Sequence, residues 1–132
     1  MPFVAAVRNK IMRLGVLKKR AEFLYVREGH YRAQGGIVIQ MRETPHLKHC
    51  NSNLIRVGFT ATKKIGNAVT RNKAKRRLRE AAHHLLPQYG IAGHDYVFIA
   101  RNGTSTREWT ALLDDTKKAL ITLSKPKEPR RS

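Results

Sequence analysis

The sequence predicts an α+β fold, a small mixed sheet packed against helices in a two-layer sandwich, and three observations carry that expectation. The chain alternates helical and extended patterns in the order helix, two or three strands, helix, strand, helix. From Thr70 onward, steps of about 100° per residue bring Ala74, Leu78, Ala81 and Leu85 into one sector, an apolar stripe made to lie on a sheet. Its 132 residues, 41% of them hydrophobic, suffice for one globular domain with a core of its own. The expected domain is 17–124, between a flexible basic segment over 1–16 and a disordered basic tail over 125–132 that holds Pro126, Pro129, Arg130 and Arg131.

Within that domain the first helix is expected over Leu17–Leu24, closed by Gly29. Gly35 and Gly36 precede Ile37–Met41, whose β-branched content argues for a strand. Residues 43–53 are polar and turn-rich, a surface loop containing His46, His49 and Cys50. The second strand runs from Leu54 to Thr62, with Leu54, Arg56, Gly58, Thr60 and Thr62 on one face and Ile55, Val57, Phe59 and Ala61 on the other. Thr70 is the expected N-cap of the long basic helix, which Pro87 ends and Gly90 follows. After His94 and Asp95 comes a buried strand, Tyr96–Ala100. Ser105 with Glu108 three residues on forms a capping-box pattern that starts the last helix, with Trp109, Leu112, Leu113, Thr116, Leu120 and Leu123 on its inner side.

Charge narrows the partner. The chain has 27 Lys and Arg against 9 Asp and Glu, a net charge of +18, and that self-repulsion opposes compaction until something anionic binds. Eight basic residues and no acidic one fall in the seventeen positions from Lys63 to Arg79. There Asn72, Lys73, Lys75, Arg76, Arg79 and His83 lie opposite the apolar stripe, while Arg71 and Arg77 flank it. Cations in the first helical turn oppose the macrodipole, and like charges three and four residues apart repel. A sequence that accepts both costs is shaped for a polyphosphate, nucleic acid by default. The competing solvated face would mix Lys with Glu. A membrane-surface helix would carry large apolar side chains where this one has Ala and Leu, and no run of apolar residues is long enough to span a bilayer. Arg8, Lys10 and Arg13 interrupt any secretory apolar region, and one cysteine allows no internal disulfide, so the expected compartment is the cytoplasm.

Candidates for protein-borne chemistry are sparse. The nine acids are scattered, and the only adjacent pair, Asp114 and Asp115, points in directions about 100° apart and reads as a solvated helical face. His46, His49 and Cys50 form one loop of soft ligands with no second cluster, weak grounds for zinc. His83 and His84 read as surface or RNA-contacting side chains rather than bases, and no metal-binding residue is assigned.

The block Arg56-Val57-Gly58-Phe59-Thr60-Ala61-Thr62-Lys63-Lys64-Ile65-Gly66-Asn67-Ala68-Val69, followed by Arg71-Asn72-Lys73-Ala74-Lys75-Arg76-Arg77-Leu78-Arg79-Glu80, resembles the signature of the bacterial ribonuclease P protein subunit. The resemblance extends more loosely over residues 17–120. It implies a fold like a small-subunit ribosomal protein domain, with a left-handed β-α-β crossover that strand and helix physics alone would not suggest. It also implies a ribonucleoprotein endoribonuclease that removes the 5′ leader of precursor tRNA. In that reading the RNA subunit carries the chemistry and holds Mg²⁺, and the protein alone is inactive. The implied partners are one ribonuclease P RNA, bound one to one, and precursor tRNA. The implied contacts to the catalytic RNA are Arg56, Lys63, Lys64, Arg71, Asn72, Lys73, Lys75, Arg76 and Arg79. The implied leader cleft comprises Phe23, Tyr25, Phe59, Thr60 and Thr62, with Lys64 a further candidate. The sequence departs from the family pattern twice: Lys73 stands where the family usually has Arg, and Gln40 where a cleft aromatic is common.

Overall fold

A computed structural model describes residues 13–45 and 54–125. The first strand, β1 (Arg13–Val16), leads into helix α1 (Arg20–Arg27), the hairpin β2 (His30–Gln34) and β3 (Ile37–Glu43), and then β4 (Leu54–Thr60). A 3₁₀ turn over Lys63–Ile65 precedes the long helix α2 (Ala68–Tyr89), followed by β5 (His94–Ala100) and α3 (Trp109–Ser124). The five strands form one mixed sheet in the order β1-β4-β5-β3-β2. β4 is parallel to both β1 and β5, and β3 is antiparallel to both β5 and β2. Helix α2 is thus the crossover between two adjacent parallel strands at the middle of the sheet.

Alternation along the strands divides the core between two faces. Ile37, Ile39, Met41, Ile55, Val57, Tyr96, Phe98 and Ala100 meet Ala74, Leu78, Ala82 and Leu86 of α2 and Leu112, Ala119, Leu120 and Leu123 of α3. On the other face Val97 packs with Leu17 and Val26, with Phe23, Tyr25 and Ile99 half-buried around them. β5 is therefore buried on both faces, as its uninterrupted apolar run requires. The Tyr96 hydroxyl accepts the Ile91 N–H at 2.9 Å, and burial pushes its pKa up to about 12.

Helix α1 is fastened to the sheet by charge. Asp95, fully buried, accepts from Arg56 Nε at 2.8 Å and Nη2 at 2.6 Å, and from the Thr44 hydroxyl at 2.7 Å. Arg56 also reaches Glu22 Oε2 at 3.4 Å, while Glu22 Oε1 accepts the backbone N–H groups of Lys18 and Lys19. Those backbone donors, then the Arg56 guanidinium, hold the Glu22 carboxyl below its ordinary value. The Asp95 carboxylate in turn makes the Arg56 guanidinium still harder to deprotonate.

Several expectations are revised. Residues 13–16 are not loose: Leu14 packs on the main core and Leu17 N–H donates to Val57 O at 3.0 Å, so β1 pairs with β4. β2 escaped notice because His30–Gln34 has no apolar alternation, yet Gly35, at φ +51°, turns it directly back into β3. The N-cap of α2 is Asn67, whose side chain accepts from Thr70 N at 2.9 Å, three residues before the expected cap. Pro87 lies inside the last turn of α2 rather than ending it, since one missing N–H near a helix terminus removes a single bond. Ser105 sits in a turn, and α3 begins after Glu108 without a side-chain cap. Asp114 pairs with Lys118 at 3.0 Å on the surface, but Asp115 is buried, accepting from Gly36 N at 2.9 Å and from Arg107. His46, His49, Cys50, residues 1–12 and the tail beyond Lys125 lie outside the described residues.

Two expectations follow for stability. Arg56→Ala strands the Asp95 carboxylate in the interior, so urea unfolding should show a loss of about 3–5 kcal/mol. Because the Glu22 carboxyl is held below 4.5 in the folded chain, its contribution is fully present above pH 4.5 and is lost as pH falls through the depressed value. Glu22→Gln should accordingly flatten the fall in melting temperature over that acid window, while an unchanged slope would assign it to other carboxylates.

Candidate nucleic-acid interface

The cationic surface is built by the start of α2 and the turn before it. Lys63 and Lys64 are exposed in the 3₁₀ turn, and Asn72, Lys73, Arg76 and Arg79 are exposed on the helix. No described carboxylate pairs with Lys63, Lys64, Lys73, Lys75, Arg76 or Arg79, and the first turn of α2 has no acid. Glu80, the one acid on α2, lies 3.8 Å from His84 on the exposed surface. The helix N-terminus and these side chains therefore add same-sign potential over one face.

Other cations on the expected list are committed elsewhere. Arg56 has its guanidinium on Asp95 and Glu22 with only 14% of its side chain exposed, so it is not presented with the cations of α2. A buried carboxylate demanded a partner, and the register places Arg56 directly opposite it. Arg71 is half-buried and donates to Gly66 O at 3.2 Å, holding the turn before α2. Arg77 donates to the carbonyls of Ser105 and Arg107 and lies over the Trp109 ring, which ties α2 to the segment leading into α3.

Beside this face runs a groove of ≈ 710 Å³ between α1 and the sheet. Its α1 wall is Arg20, Phe23, Leu24 and Arg27, spaced three, four and seven residues apart and so on one side of the helix. Its floor is Gln40, Val97, Ile99 and Thr60, with Phe59, Ala61, Thr62, Lys18 and Lys75 completing the rim. No acidic residue lines it, and Lys75 belongs both to the groove and to the cationic helix.

Of the five cleft candidates, Phe23, Phe59, Thr60 and Thr62 line this groove. Phe59 does so from the core side: its ring meets Phe98 edge-on at 5.8 Å, and the Arg79 guanidinium lies 5.5 Å over it. Tyr25 does not join them. It is about 200° from Phe23 around α1, its hydroxyl donates to Glu43 O at 2.6 Å, and Arg42 stacks on its ring at 4.0 Å. Sequence reasoning missed Arg20, Leu24, Arg27, Val97 and Ile99. The helical spacing of the first three was the available signal, while Val97 and Ile99 were hidden in a run apolar on both faces. Among the described residues no three His, Cys, Asp or Glu side chains gather as a metal site.

Gly58 sets the width of the groove. A Cβ there would lie 2.5 Å from Phe23 Cζ and 3.1 Å from Leu17 Cβ, so only hydrogen lets the Phe23 ring rest on β4.

An α+β sandwich with a cationic helix, free of acids in its first turn, beside an aromatic-walled groove defines a polyanion-binding protein. More narrowly, the chain belongs to the Ribonuclease P family, whose profile matches residues 11–124. A ribonuclease P protein component from Caulobacter vibrioides is 55% identical over 108 residues, covering 82% of this chain and 70% of the relative. One from Ruegeria pomeroyi is 45% identical over 115 residues, covering 86% and 90%. Among solved structures, the RNase P protein of Staphylococcus aureus superposes with a TM-score of 0.66 at 27% identity, covering 83% of this chain and 94% of that one. That of Thermotoga maritima gives 0.64 at 25% identity, covering 80% and 94%.

Gly58→Ala should push Phe23 and α1 off β4. We expect a loss of about 1–3 kcal/mol in unfolding experiments, as overpacking usually costs, with Phe23→Leu in the same background recovering part of it. Full stability in Gly58→Ala would show that the ring moves freely aside.

Proposed function

We propose that this chain, as the protein component of a ribonucleoprotein ribonuclease, binds the catalytic RNA through α2 and the 5′ leader of precursor tRNA in the α1 groove. The observation that carries this reading is the continuity of the two surfaces through Lys75: a helix face whose first turn has no acid runs into a groove with no acidic lining residue. Lys63, Lys64, Asn72, Lys73, Lys75, Arg76 and Arg79 meet the phosphates of the catalytic RNA, with Arg71 shaping the turn that presents them. Phe23, Phe59, Thr60 and Thr62 form the groove for the leader, where an aromatic wall and surrounding cations favour binding with little base preference.

Among the described residues the side chains offer no carboxylate cluster of the kind a metal-dependent nuclease uses. Its two buried carboxylates, Asp95 and Asp115, are each taken by an arginine, and the described acids and histidines form no cluster. In this reading the Mg²⁺ that the reaction needs is held by the RNA subunit, and the protein alone is inactive. Its contribution is to lower electrostatic repulsion between the RNA subunit and its substrate and to hold the leader. We further infer a complex of one protein with one RNA, working in the cytoplasm.

The test is cleavage of a precursor tRNA at low Mg²⁺ by a bacterial ribonuclease P RNA, with and without this protein, and by the protein alone. Leader removal restored only by the combination supports the proposal. Binding without stimulation would reduce the chain to a general RNA-binding protein, and cleavage by the protein alone would place an active site in it. In the same assay Lys73→Ala with Arg76→Ala should weaken assembly with the RNA. Its logarithmic salt dependence should flatten by about 2, near one unit for each phosphate that is no longer neutralised. An unaltered slope would remove α2 from the interface.

A further inference from the structure

The floor of the groove does not stop at Gln40. Strand register aligns Gly58 of β4, Val97 of β5, Gln40 of β3 and Tyr31 of β2 in one row across the sheet. Directly opposed residues of an antiparallel pair project to the same face, with Cβ atoms about 5 Å apart. Tyr31 therefore stands beside Gln40 on the groove face, one strand further out. It is 70% exposed, and among the described residues the only other large hydrophobic side chains this open to solvent are Val16 and Val69. Phe23 rests on Gly58 at the other end of the row, about 14 Å away at three strand spacings.

We propose that Tyr31 is a second aromatic platform for the single-stranded leader, one strand beyond Gln40 on the same face of the sheet. The inference rests on the leader occupying the groove as proposed above. The occupant is a single-stranded nucleic acid because Arg20 and Arg27 line the groove into which Val97 and Gln40 of this row project, no carboxylate is among that groove's lining residues, and the exposed phenol ring presents a π-face on which a base of any sequence stacks. Gln40 lies between the rings with an amide able to donate to or accept from a base edge. A leader entering at Phe23 thus crosses Val97 and Gln40 before reaching Tyr31, so only leaders long enough to cross the sheet engage it.

The experiment measures holoenzyme affinity for two precursor tRNAs, one with a single-nucleotide leader and one with a leader long enough to span the sheet. Tyr31→Ala should weaken binding of the long-leader precursor about tenfold and leave the short one unchanged. Tyr31→Phe should retain the affinity, and Gln40→Tyr in the Tyr31→Ala background should restore it by returning an aromatic to the same row. Equal weakening of both precursors would place Tyr31 against the catalytic RNA, and no weakening of either would leave it a plain surface side chain; each overturns the proposal. A wild-type holoenzyme indifferent to leader length would instead sink the underlying leader-groove reading. Melting temperatures of the three variants separate these results from misfolding.

Discussion

The bidentate contact between Arg56 and Asp95 joins the two strands on which everything else is arranged. α2 crosses between β4 and β5, and this pair is the charged part of a shared face that otherwise holds Gly58, Thr60, Val97 and Ile99. A carboxylate so deeply buried is tolerable only with a full set of donors, which the guanidinium fork and the Thr44 hydroxyl supply. Through Glu22 the same guanidinium fixes the start of α1, and α1 is the wall of the groove. The groove wall thus depends on a buried ion pair beneath the start of α1.

The remaining charges divide by the same logic. Arg56, Arg71, Arg77 and Arg107 are engaged with carboxylates and carbonyls of the fold, and arginine suits that work because its planar fork satisfies several acceptors at once. Among the described cations without a carboxylate partner, Lys73, Lys75, Arg76 and Arg79 gather on α2. Of the nine acids, Glu22 and Asp95 share Arg56 and Asp115 holds Arg107, so each is neutralised by a neighbouring guanidinium.

The division between legible and hidden follows from which forces leave a local pattern. The stripe of α2 was readable because Ala74, Leu78 and Ala81 repeat at helical spacing, and the core strands because their apolar runs are long. β1 and β2 were not, since short edge strands take their conformation from a distant partner rather than from their own residues. The same limit explains the site. The basic helix could be seen in the sequence because its cations are consecutive on one element. The roles of Arg56 and Asp115 could not, because each depends on a partner brought near only by the sheet or by a turn. Tyr25 and Phe23 looked equivalent as nearby aromatics until the helix placed them on different flanks.

The open sheet has a wider consequence. β1 and β2 are its outermost strands, and an unpaired strand edge is a template for another copy of the same chain. Here those edges carry Arg13, His30 and Arg32 on a molecule of net charge +18, so two copies repel before their backbones can register. A bound polyanion would cancel much of that repulsion. The protein is therefore best protected from self-association at the two extremes, fully free in low salt or fully covered by RNA, and most exposed to it when partly neutralised.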